Sequence, residues 1–205
     1  MHRVIRVATR GLALGLAALA SASATDRPLL AQGNAQTLFV ENTNSGDISV
    51  IDNATLKVVA TIPVGLSPDD IITAPDGRTL YVSRIVRGTN GRPSGKGEVV
   101  AVDPTTHQVL WRAPFTGVPN HLAVSPDGKQ VYVTVVSTSY VDVIDPLRHA
   151  VVDSIEVGKG PHDIDVSRDG RRIYVGLILG NKVSIVDAAT HHMIRKTRRA
   201  SAGGQ

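Results

Sequence analysis

The sequence predicts an all-β fold: a β-propeller of four-stranded antiparallel blades, with about four blades present as a partial or small ring. Three observations carry that prediction. Four similar segments each close on an aspartate, Asp52, Asp103, Asp145 and Asp187, at spacings of 51, 42 and 42 residues. Within each period the chain breaks into four short runs rich in Val, Ile and Tyr. A turn of one type recurs in register, as "APDG" (74–77), "SPDG" (125–128) and "SRDG" (167–170). Four short strands in a period of about 42 residues match one propeller blade.

The elements follow in order. The aligned segments are "LFVENTNSGDISVID" (38–52), "LYVSRIVRGTNGRPSGKGEVVAVD" (80–103), "VYVTVVSTSYVDVID" (131–145) and "IYVGLILGNKVSIVD" (173–187). From Val40, Val133 and Val175 to the closing aspartate is 12 residues, but from Val82 it is 21. The second copy therefore carries an insertion, and the Gly-rich, polar "RGTNGRPSGKG" (87–97) reads as a mobile surface loop. Residues 120–157 show one blade in full. "HLAVS" is apolar and β-branched, "PDG" turns the chain, "QVYVTVV" is a nearly continuous strand, and "YVDVID" and "HAVVDSIEV" alternate with period two. Pro and Asp suit a type I turn, and Gly suits its last position. The closing aspartates precede turns, where Asp bonds the backbone two residues on, a structural role.

The "YV" strand followed by "V-x-V-I-D", together with "G-x-x-P-H-x-x-x-x-S-x-D-G", resembles the YVTN family of β-propeller repeats. The resemblance covers residues 36 to about 198. The family's Asn survives only as Asn42 in "FVEN"; the other copies read "YVSR", "YVTV" and "YVGL". The resemblance implies kinship with lactonase-like and haem d1-type propellers, and a ring of seven blades needing about 300 residues. Its motif residues are structural and imply no single function.

Residues 1–24 have the pattern of a cleavable signal peptide. Arg3, Arg6 and Arg10 precede the apolar run 11–20, and Ala22-Ser23-Ala24 offers a small-residue cut after Ala24. That run is too short to span a bilayer, which takes roughly 20 residues. The expected location is periplasmic or secreted. Beyond residue 24 the chain holds 19 basic and 18 acidic residues, so its body lacks the basic face that nucleic-acid binding needs. The sequence contains no cysteine, so the core and the sheet ladders must carry the stability. The expected domain order is signal peptide 1–24, lead-in 25–35, repeats 36–198 with blade boundaries near 68, 119 and 161, and a disordered tail 199–205.

Name the strands of a blade A, innermost, to D, outermost. The first copy begins at strand B and lacks a convincing A strand, which gives about fifteen strands. Three architectures fit this count: a truncated longer propeller, a half-ring completed by a second copy, and a four-bladed ring or open arc. An open arc leaves bare terminal faces and edge strands.

Successive hairpins alternate ends, so the insertion and the D–A connections share one face, and the D–A connections lead into the innermost strands. Alignment on Pro68, Pro119 and Pro161 yields two rows: Asp69, Asn120 and His162, then Asp70, His121 and Asp163. Carboxylates, an amide and imidazoles on one rim could bind a divalent metal or serve acid–base chemistry. The same short polar residues also satisfy loop N–H groups in any repeat. Neighbouring positions on a strand face opposite ways, so only one row should face the channel. The two histidines fall in different rows, which counts against a two-histidine metal site. Arg87, Asn90, Arg92 and Lys96 of the insertion are candidates for a gate over the rim. His191 and His192, on the outer edge, read as solvated, and Trp111 as packed on the next blade.

The expectation is an exported ligand- or protein-binding scaffold with no complete catalytic constellation and no predicted cofactor. Its partners would be a small molecule or protein at the rim, with self-association to complete the ring and no membrane span after cleavage. The alternative is a lactonase-like hydrolase or isomerase with a divalent metal at the rim.

Overall fold

The computed structural model describes residues 4–7 and 37–198. The rest of the expected leader, the lead-in and the 199–205 tail lie outside the described residues. Among the described residues sixteen strands form four antiparallel sheets, and there is no helix. Blade one is β1 (Val4–Val7), β2 (Thr37–Asn42), β3 (Asp47–Asp52) and β4 (Lys57–Pro63). Blade two is β5 (Pro68–Thr73), β6 (Leu80–Arg87), β7 (Pro93–Val102) and β8 (Val109–Thr116). Blade three is β9 (Pro119–Val124), β10 (Val131–Val135), β11 (Tyr140–Asp145) and β12 (Ala150–Glu156). Blade four is β13 (Pro161–Val166), β14 (Arg172–Leu177), β15 (Lys182–Asp187) and β16 (Met193–Arg198). The order of strands within each sheet is the order in the chain, as in a meander.

One strand more is present than the sequence suggests. The inner place of blade one is taken by β1, paired antiparallel to β2 from Val4 opposite Val40 to Val7 opposite Thr37. This strand escapes a reading by repeats because it comes from the expected leader, thirty residues ahead of β2. The inner strands pack in sequence, β1 on β5, β5 on β9 and β9 on β13. Three apolar cores fill the spaces between adjacent blades. Phe39, Ile62 and Leu80 belong to the first, Tyr81, Leu122 and Ile144 to the second, and Tyr132, Ile173 and Val175 to the third. Fully burying a side chain such as Phe39 stabilises by roughly 1.5–3 kcal/mol.

One repeat position shows where packing stops. Phe39, Tyr81 and Tyr132 are 1%, 4% and 1% exposed, each covered by the following blade, whereas Tyr174 at the same place in blade four is 40% exposed. Tyr174 lines an open concavity of about 610 Å³ with Leu177, Ile178 and Val183, all from blade four. The last blade thus shows the face that its predecessors bury.

The turns follow the sequence closely. Each closing aspartate caps its own C–D turn: Asp52 Oδ1 accepts from the N–H groups of Ala54 and Thr55 at 3.0 and 2.7 Å, and Asp103 from those of Thr105 and Thr106 at 2.7 and 3.0 Å. Asp145 and Asp187 repeat the device. These bonds hold the Asp52, Asp103 and Asp187 carboxyls below the ordinary carboxylate value. The residue four places after each aspartate is left-handed: Leu56, His107, His149 and His191 have φ between 55° and 61°. His tolerates that region better than Leu, which accounts for three of the histidines structurally.

The insertion differs from expectation. It is a hairpin extension, with Arg84 opposite Glu98 and Val86 opposite Lys96, and only its tip turns freely of the ladder. The Ser94 hydroxyl donates to the Val86 carbonyl at 2.7 Å, and Arg92 N–H donates to Asn90 Oδ1 at 3.0 Å. Arg87 ties it to the body through Ser67 Oγ, at 2.5 Å. Gly and Pro content suggests a mobile loop, but strand pairing runs out to Arg87 opposite Pro93, with one irregularity between Val86 and Arg87. At its base Glu98 accepts from both Arg84 and Arg112, at 2.6 and 2.5 Å.

Candidate ligand-binding rim

The inner strands of blades two, three and four each open with a proline at the blade boundary and then a β-bulge. In blade two Pro68 lies opposite Arg84 and Asp70 opposite Ser83, so Asp69 is the extra residue. In blade three Pro119 and Leu122 flank the bulge, opposite Val135 and Val133, and in blade four Pro161 and Ile164 do so, opposite Leu177 and Val175. Two residues face one in both cases: Asn120 and His121 opposite Thr134, and His162 and Asp163 opposite Gly176. A bulge adds a residue to one strand and re-aims its side chains.

That irregularity overturns the expectation that only one row can face inward. His121, from the second row, and His162, from the first, meet with ring centroids 4.7 Å apart at an angle of 52°. His121 Nδ1 lies 3.0 Å from Asp163 Oδ1, and His162 Nδ1 lies 3.6 Å from the same oxygen. His162 Nδ1 is buried and makes no hydrogen bond. The argument from row membership against a two-histidine cluster therefore fails, because strict alternation stops where the strands begin.

The remaining rim residues divide. Asp69 is half-buried, and burial pushes its carboxyl above the ordinary value; the His121 and His162 imidazoles pull it down, and Asp70 opposes His121. Asp69 thus belongs electrostatically with the two histidines. Asp70 does not: it is fully buried, and its Oδ2 accepts the Leu122 N–H at 2.9 Å, tying blade two to blade three. The Asn120 carbonyl accepts from Ser83 Oγ at 2.6 Å, and its own Oδ1 is buried without a hydrogen bond. Arg87 of the insertion reaches Ser67, next to Pro68, so the hairpin and the D–A connection of blade two share a face as expected.

Thr134 went unnoticed in the sequence. Its fully buried hydroxyl accepts the His121 N–H at 3.0 Å and donates to the His162 carbonyl at 2.8 Å. One side chain therefore sets the spacing between the backbones that carry both histidines. Ser83 makes the corresponding donation one blade earlier, to the Asn120 carbonyl, and the shared signal is the hydroxyl residue that directly follows "YV" in blades two and three.

Two expectations about outer residues resolve differently. Trp111 stacks on His149 of the next blade, centroids 5.0 Å apart and planes at 17°. His191 is not solvated: its Nδ1 lies 2.5 Å from Asp153 Oδ2 and its ring meets Tyr132 edge-on. His192 is exposed.

Comparison with known proteins agrees with this architecture. Residues 94–164 match the family described as YNCE-like beta-propeller. The chain is 33% identical over 115 residues to Antigen Lp49 of Leptospira interrogans, covering 51% of this chain and 24% of that protein. It is 38% identical over 85 residues to the Seven-bladed beta-propeller protein Rv1057 of Mycobacterium tuberculosis, covering 40% of this chain and 20% of that one. The matches thus span a quarter or less of these curated relatives. Among solved structures, hydrazine synthase of Kuenenia stuttgartiensis superposes with a TM-score of 0.68 at 26% identity, over 80% of this chain and 46% of that chain. Repeat, strand order and relatives agree that this chain is a β-propeller protein.

Proposed function

We propose that this chain is an exported β-propeller module that binds a ligand at the rim where its inner strands begin. The observation that supports this is the gathering of Asp69, His121, His162 and Asp163 from three blades. Thr134, the hydroxyl that ties the two histidine backbones together, is spent on backbone groups. Export rests on the leader pattern of residues 1–24. Cleavage after Ala24 would remove β1 and leave β2 as a bare inner edge, open to another strand. The uncovered face around Tyr174 suits a further blade, and a second copy of this chain would supply one.

The test pairs binding with turnover. Thermal-shift screening of the purified chain against small carboxylates and sugars should give shifts that His121→Ala/His162→Ala abolishes. Aliphatic lactones and nitrophenyl esters, assayed with added Zn²⁺, should show no turnover above that of the double variant. Turnover lost in the double variant would replace this reading with the lactonase-like hydrolase.

A further inference from the structure

We infer that His121, His162 and Asp163 form a binding site for one divalent transition-metal ion of the zinc class, seated where blade three meets blade four. This deepens the rim-binding reading above and rests on it. Among the described residues this is the one group of three such donors whose ligand atoms all lie within 4.8 Å of one another. Ligands of a tetrahedral zinc ion stand about 3.4 Å apart, given metal–ligand bonds of about 2.0–2.2 Å. The 3.0 and 3.6 Å from Asp163 Oδ1 to the two imidazole nitrogens bracket that separation. All three donor atoms lie within 4.8 Å of one another, so seating an ion draws them together.

The donor chemistry agrees. Imidazole and carboxylate together suit Zn²⁺, Co²⁺ and Fe²⁺, while Mg²⁺ and Ca²⁺ prefer oxygen alone. His162 Nδ1 is buried and lacks a hydrogen bond, the state of a ligand atom waiting for its ion rather than of an imidazole satisfied by protein. His149 and His191 contrast with it. His149 stacks on Trp111, and His191 is held by Asp153. The supporting shell is also present, since Thr134 fixes the two histidine backbones against each other. Asp163 is mostly exposed, so a bound ion would keep at least one position open to solvent. An anionic ligand at the rim could then complete the coordination.

The experiment is calorimetric titration of ZnCl₂ into the chelator-stripped full chain, with Co²⁺ absorbance reporting the geometry. The expected result is one ion per chain and an intense tetrahedral Co²⁺ band. His162→Ala should weaken binding by at least the roughly 100-fold that loss of a supporting residue can cause, while His191→Ala should leave it unchanged. Asp163→Asn, at an exposed side chain that folding does not need, should weaken it as well, and circular dichroism checks each fold. Binding below one-tenth of an ion per chain, or retained in both His162→Ala and Asp163→Asn, overturns the site. Failure here leaves the rim-binding reading standing, because the ligand screen runs without metal. Turnover of lactones would overturn that reading instead.

Discussion

Replacing Thr134 by Val tests whether one hydroxyl holds blades three and four in register. Valine matches threonine in volume, so no cavity forms and only hydrogen bonding changes. The His121 N–H then loses its acceptor, and the His162 carbonyl loses a donor at 2.8 Å. An unsatisfied buried polar group costs about 1–3 kcal/mol, and the carbonyl's second lone pair softens the loss there, so the total is about 2–4 kcal/mol. For a domain of this size each kcal/mol moves Tm by roughly 2–4 °C, giving a fall on the order of 5–15 °C. Thermal unfolding followed by circular dichroism measures it. Thr134→Ser keeps the hydroxyl, as Ser83 does one blade earlier, and should recover most of the loss. A Thr134→Val midpoint within about 1 °C of the parent would refute the reasoning, since the bonds would then carry no net stability.

Three further outcomes are expected. Tyr132→Ala should destabilise by about 3–5 kcal/mol, as for other large aromatic truncations, whereas Tyr174→Ala should cost under about 0.5 kcal/mol in denaturant melts; equal losses would mean that the blade-four face is covered in solution. Asp142 is buried and its carboxyl is pushed above its ordinary value by that burial, against the bond from Ser154 at 2.6 Å. The folded state therefore takes up its proton more readily than the unfolded chain, and this group's contribution falls as pH rises through the window just above the ordinary carboxylate value. Asp142→Asn should accordingly stabilise more at pH 7 than at pH 3, and an equal effect at both would sink the assignment. Glu98→Ala leaves Arg84 and Arg112 facing each other without their shared carboxylate. Partial exposure of Arg112 discounts the full loss for a buried pair, leaving about 2 kcal/mol, and melts should show that gap narrowing in high salt.

The blades were legible because repetition enforces them. The closing aspartates, the turn glycines and the "YV" strands recur at the same places, and each does in space what its spacing suggests. The rim was only half legible. The alignment lists Asp69, His121, His162 and Asp163, but a bulge leaves no mark in an alternating pattern, so the meeting of His121 with His162 was hidden. His191 was misjudged because its partner, Asp153, comes from the neighbouring blade and lies 38 positions away. The insertion misled through composition: its glycines and proline suit a loop, yet ladder hydrogen bonds prevail once the flanking strands are paired. β1 could not be found by comparing copies, since it lies outside the repeat register.

The exposed Tyr174 also bears on how the protein opens. In a linear array each unit is stabilised by its neighbours, so a unit gripped on one side dissociates before those gripped on both. Blade four should then detach as a separate cooperative unit, visible as faster amide exchange in β13 to β16 than in β9 to β11. His121 stays with blade three while His162 and Asp163 leave with blade four. An ion held by all three would act as a rivet across that seam, and its occupancy would set how often the array comes apart.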